Sequence, residues 1–89
     1  MKLILKRNPD INCQLLPDGN AVLFSSKSNW AHIINPVGAM VWEFCDGELS
    51  ENEIMTQISE LVQTDANSLK QEVVAFTKQL LESGLLLGL

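Results

Sequence analysis

The chain has 89 residues, 46% of them apolar, and a formal charge of −5 at pH 7. That length suits a single small domain over residues 1–89, and the apolar share is too high for a disordered chain. The acidic balance argues against a nucleic-acid partner. Only Lys2, Lys6 and Arg7 cluster, and Lys27, Lys70 and Lys78 are scattered.

Ile11-Asn12-Cys13-Gln14-Leu15-Leu16 alternates apolar and polar residues over most of its length, which predicts a strand. Pro17-Asp18-Gly19-Asn20 is a turn, because proline presets φ and glycine supplies φ > 0. Ala21-Val22-Leu23-Phe24-Ser25 is β-prone and completes a hairpin. Ser26-Lys27-Ser28-Asn29 is a second polar turn, and Trp30-Ala31-His32-Ile33-Ile34 a third short strand. Strands joined by tight turns imply an antiparallel meander.

At Asn35-Pro36 the pattern changes. Asparagine is a good N-cap, and proline is favoured at the first helical position. Val37, Met40, Val41 and Phe44 then recur at helical spacing, and Asp46-Gly47 is the expected stop, with glycine as the cap. Ser50-Glu51-Asn52-Glu53 has the form of a capping box, and Ile54, Ile58, Leu61 and Val62 give a second helix its apolar face. Thr64 and Asp65 offer caps for a third helix. Its apolar stripe runs through Leu69, Val73, Phe76, Leu80 and Gly84, with Val74, Thr77 and Leu81 beside it. One covered surface needs a stripe of roughly 100°. The wider arc here has two readings: a helix sandwiched inside the domain, or a helix with part of its face turned to a partner. The order of elements predicts an α+β fold, three strands followed by three helices.

The sequence carries no recognised catalytic or ligand motif. Cys13, Cys45 and His32 are far apart, without metal-ligand spacing, so no metal and no cofactor is expected and both thiols read as packed and reduced. No phosphate loop or activated nucleophile is present, so the chain is not read as an enzyme. Trp42 reads as core. Trp30 reads equally as an anchor for a ligand or as a cover for the core. No apolar run approaches the ~20 residues that cross a bilayer and no signal peptide is apparent, so a cytoplasmic protein without a membrane partner is expected.

In their order and spacing these segments resemble the PqqD-like family, also called RiPP recognition elements. The resemblance is clearest over Ile33-Ile34-Asn35-Pro36-Val37-Gly38-Ala39-Met40-Val41-Trp42-Glu43-Phe44-Cys45-Asp46-Gly47. It continues through Glu53-Ile54, Val73-Val74-Ala75-Phe76 and Leu80-Leu81-Glu82-Ser83-Gly84-Leu85. It implies a winged-helix-turn-helix-like fold and a non-catalytic peptide chaperone in natural-product biosynthesis. In the family, the leader of a ribosomally made precursor peptide adds as a strand beside the third strand and is closed in by the third helix. The peptide is then presented to a radical-SAM enzyme, a cyclodehydratase or a leader peptidase.

Carried onto this chain, the strand side of the site is Asn29, Trp30, Ala31, His32, Ile33 and Ile34. The helical wall draws on Leu69, Lys70, Val73, Val74, Thr77, Lys78 and Leu81. Lys70 and Lys78 would attract leader carboxylates. Proline at Ala31 or Ile33 should remove a backbone donor, with only one of the two expected to aim its N–H at the peptide. Two alternatives stand beside this reading: a winged-helix DNA-binding regulator, disfavoured by the charge, and a dimerisation module, since a free strand edge can pair with a second copy in a homodimer.

Overall fold

The computed structural model describes residues 3–63 and 65–89. Among them run β1 (Ile4–Arg7), β2 (Ile11–Leu15), β3 (Ala21–Ser25), β4 (Ala31–Ile34), α1 (Pro36–Phe44), β5 (Asp46–Ser50), α2 (Glu51–Val62), α3 (Ala66–Glu82) and β6 (Leu86–Gly88). The expected meander is the sheet β2-β3-β4, antiparallel throughout, and the three expected helices follow it in an α+β architecture. The winged-helix label fits loosely. A second sheet, in the order β5-β1-β6, was not expected from the sequence.

Local chemistry accounts for the elements that were expected. In the β2–β3 turn, Gly19 takes φ +93, Asp18 accepts the Asn20 N–H at 3.0 Å, and the Leu16 N–H donates to the Asn20 carbonyl at 2.8 Å. Asn35 caps α1, its side-chain oxygen accepting the Gly38 N–H at 2.7 Å, with Pro36 opening the helix. The α2 capping box is present in both directions: Ser50 Oγ accepts from the Glu53 N–H, and Glu53 Oε1 accepts from the Ser50 N–H. Asp65 caps α3 by accepting from the Asn67 N–H, while the second expected cap, Thr64, lies outside the described residues, as does Lys2 of the basic cluster.

The stop of α1 differs from expectation. The helix ends at Phe44 with Cys45 as its cap, and Gly47 lies inside β5 at φ +88. It is used there because the β1–β5 pairing jumps from Ile4↔Ser50 to Lys6↔Asp46, and the extra residues of β5 must bulge. The α1 carbonyls are instead satisfied from a distant strand. Arg7 of β1 donates from Nη1 to the carbonyls of Trp42 (3.1 Å) and Glu43 (2.7 Å), placing a cation at the negative end of a helix with no basic residue in its own last turn.

The core joins both sheets to the helices. Leu23 and Ala21 come from the meander, Leu5 and Leu86 from the second sheet, and Val41, Trp42, Ile54, Ile58, Leu69, Val73 and Leu80 from the helices, all at most 2% exposed. Thr77 is the buried polar side chain of α3. Its Oγ1 lies 2.7 Å from Glu51 Oε2 and 3.1 Å from the Val74 carbonyl, and its one proton favours the charged acceptor. No described helix is long and apolar enough to cross a membrane.

Candidate functional site

Strand β4 forms one side of the site. It pairs only with β3 among the described residues, so its other edge carries free backbone groups. Which residues own those groups follows from the register. In an antiparallel ladder, hydrogen-bonded pairs alternate with non-bonded ones. Leu16 bonds Asn20, so Gln14↔Val22 and Asn12↔Phe24 are the bonded pairs of β2 and β3. Val22 and Phe24 therefore face β2, and Ala21 and Leu23 face β4, where they meet Ile34 and His32. The residues left over, Ala31 and Ile33, point their N–H and C=O groups outward. The expectation that only one of these two does so is corrected here, because positions two apart on a strand share a side.

Two hollows lie along that edge, both walled by α3 or the turn that follows it. One, of about 350 Å³, is lined by His32, Ile33, Ile34 and Asn35 on the strand side, by Val37, Gly38 and Val41 of α1, and by Glu72, Val73, Ala75, Phe76 and Gln79 of α3. The other, of about 320 Å³, is lined by Trp30, Ala31, His32, Ser83 and Leu85. His32 borders both, so they succeed one another along β4.

Gly38 sets the width of the first hollow. A Cβ there would stand 2.9 Å from Phe76 Cε1 and 3.2 Å from Asn35 Oδ1, so only glycine lets the Phe76 ring lie against α1. Asn35 ties the wall to the strand side a second time, donating from Nδ2 to Glu72 Oε1 at 2.9 Å.

The residues expected on the strand side lie in β4 or just before it. Asn29 and Trp30 precede β4 rather than belonging to it, and Trp30 is 36% exposed at the second hollow. Of the expected helical wall, only Val73 lines the first hollow. Leu69 and Thr77 are buried in the core, and Leu81 packs toward Gly88 of β6. Lys70 and Val74 line a separate hollow with Asn67, Gln71 and Ala75, and Lys78, four residues beyond Val74, shares that side of the helix. Beside Val73, the α3 side of this hollow is made by Glu72, Ala75, Phe76 and Gln79. Their i, i+3, i+4, i+7 spacing was present in the sequence, but two of the four are polar and read as a solvated face.

Both cysteines border a fourth hollow, between β1, β2 and the end of α1, together with Arg7 and Asp46. Burial pushes the Cys45 thiol from its ordinary 9.0 up to about 12, with Arg7 opposing the shift and Asp46 adding to it. The Cys13 thiol is also raised, by burial first and Glu43 second, against the pull of Arg7. Thiolate is the reactive form, so Cys45 should resist iodoacetamide at pH 8 in the native protein and react once unfolded. Below pH 9 the folded and unfolded chains both hold this proton. From pH 9 to about 12 only the unfolded chain releases it, so stability should fall with rising pH in that window. A Cys45→Ala variant, followed by urea unfolding, should show a shallower fall. Among the described residues no group of His, Cys, Asp and Glu is placed to hold a metal ion.

Residues 20–86 match the family described as coenzyme PQQ synthesis protein D (PqqD). The chain belongs to the PqqD family. No curated protein sequence matches it. Two solved structures share its fold. TbiB1 in complex with the TbiA(beta) leader peptide has a TM-score of 0.73 at 18% identity, over 91% of this chain and 93% of that one. The heterocyclase TruD has a TM-score of 0.70 at 15% identity, over 98% of this chain but 12% of that one. This PqqD-family chain thus corresponds in extent to the whole TbiB1 chain and to a small part of TruD.

Proposed function

We propose that this PqqD-family chain is a non-catalytic adaptor. It binds the leader of a ribosomally made precursor peptide as an added strand on β4 and presents it to a modifying enzyme or leader peptidase. The observation that carries the reading is the free edge of β4, with Ala31 and Ile33 both turned outward beside two hollows that follow the strand. Backbone bonds along such an edge supply affinity, and alternate side chains of the added strand enter the hollows and supply specificity. Membership of the PqqD family supports a peptide as ligand, and so does the shared fold of TbiB1, which was solved with a leader peptide. The heterocyclase TruD, whose chain includes this fold, supports a modifying enzyme as the partner. A DNA-binding reading has less behind it, because α3 sets Glu72 and Glu82 against Lys70 and Lys78.

The test is a titration of the purified protein with the leader peptide encoded beside its gene, read by fluorescence anisotropy and by amide exchange. Saturable binding at micromolar concentration or tighter is expected. The Ala31 and Ile33 amides should exchange fast in the free protein and slow in the complex, while His32 and Ile34 are slow in both. Absence of binding at high micromolar peptide would overturn the reading.

A further inference from the structure

The two hollows along β4 contain no described Lys or Arg. Glu72 carries the one formal charge among their lining residues, with His32 counted neutral. Its side chain is exposed, and its carboxylate is tied at one oxygen. Asn35, itself fixed by capping α1, donates to Oε1, and among the described residues Oε2 accepts no hydrogen bond. Neither lysine of α3 lines these hollows: Lys70 borders another one, and Lys78, eight residues on, falls near Lys70 by helical spacing. The chain as a whole carries −5. An acidic segment entering this groove would therefore meet a like charge and a repulsive overall field, whereas a cation would find a carboxylate oxygen that accepts no other described hydrogen bond, beside a hollow that also offers Ile33, Val37 and Phe76.

We infer that the groove selects a leader segment with a Lys or Arg side chain at the α1 end of β4, where Glu72 Oε2 receives it, at a fixed spacing from an apolar residue in the hollow. This rests on strand addition to β4 and adds the charge class of the peptide. It reverses the charge preference that Lys70 and Lys78 suggested in the sequence.

The probe is a displayed library of random twelve-residue peptides, selected in parallel on the wild-type protein, Glu72→Gln, Glu72→Lys and Ile33→Pro. A side-chain amide would still accept the Asn35 bond through its oxygen, so Glu72→Gln removes charge and little else. Wild-type selections should enrich Lys or Arg at one position relative to an apolar residue. Glu72→Gln should lose that enrichment and Glu72→Lys should replace it with Asp or Glu, the apolar position being kept in all three. Resynthesised wild-type peptides should bind about threefold more weakly to Glu72→Gln and about tenfold more weakly to Glu72→Lys, with the differences shrinking as salt is raised.

Enriched peptides that need a free Ile33 amide but show no charge preference, or one unchanged in Glu72→Lys, would overturn this inference and leave strand addition standing. Peptides that bind Ile33→Pro as well as wild type, or no enrichment at all, would overturn both.

Discussion

Ile33→Pro should lose leader affinity by at least about tenfold while the domain stays folded. Proline removes the N–H and places a ring where it was. At position 33 that N–H points away from β3, so the bonds of His32 and Ile34 to β3 are untouched. Proline is tolerated on an edge strand for this reason. The loss to the peptide exceeds one missing bond, because the ring also obstructs the close approach of the added strand. Ala31→Pro should behave alike. His32→Pro is the internal control: it deletes a bond to Leu23 inside the sheet and should lower the melting temperature far more than either outward position. Anisotropy titrations with thermal unfolding followed by circular dichroism check the set. A folded Ile33→Pro that binds like wild type would end the strand-addition account.

Trp42→Ala should cost about 3–5 kcal/mol, the range for truncating a large aromatic side chain in a packed core. The side chain is 2% exposed among residues of both sheets and the helices. A domain of this size has a total stability of about 5–13 kcal/mol, so a large part of the margin disappears. In urea the midpoint should fall by roughly 2–3 M. The other tryptophan gives the contrast. Trp30 is 36% exposed, lies outside any strand and borders the second hollow. Trp30→Ala should leave the urea midpoint nearly in place and weaken peptide binding. If the two substitutions destabilise the fold equally, the division between a core tryptophan and a site tryptophan is wrong.

What could be read in the amino-acid order was the structure made by neighbours in the chain. The Pro17–Asn20 turn, the Asn35-Pro36 helix start and the Ser50–Glu53 box each place a donor and its acceptor within four residues, so the residue types suffice to announce them. The PqqD resemblance was legible for the same reason, as a series of such local signals in a characteristic order. The second sheet was not legible. β1 is four residues long and β6 three, and neither alternates over a useful length. They exist because Leu5 finds Gly88 and Lys6 finds Leu87 across almost the whole chain. The cap on α1 is invisible for a like reason, since Arg7 reaches carbonyls 35 and 36 positions away.

The site divides along the same line. The edge strand expected over Asn29–Ile34 is β4, shorter by two residues, because a strand that follows two hairpins must end at a sheet edge unless something distant covers it. Which residues of α3 line the hollow beside it was not legible. A wide apolar arc on α3 says that much of the helix is covered, but which side meets β4 depends on how the helix is rotated over the core. Leu69, Val73, Thr77 and Leu80 are drawn inward, and that rotation turns Glu72, Phe76 and Gln79 to the groove and Lys70 and Val74 to another side. The sequence by itself determined that a strand edge would be followed by a long helix. The rotation of that helix, set by packing among residues far apart in the chain, decided that the groove between them carries a carboxylate and, among the described residues, no lysine.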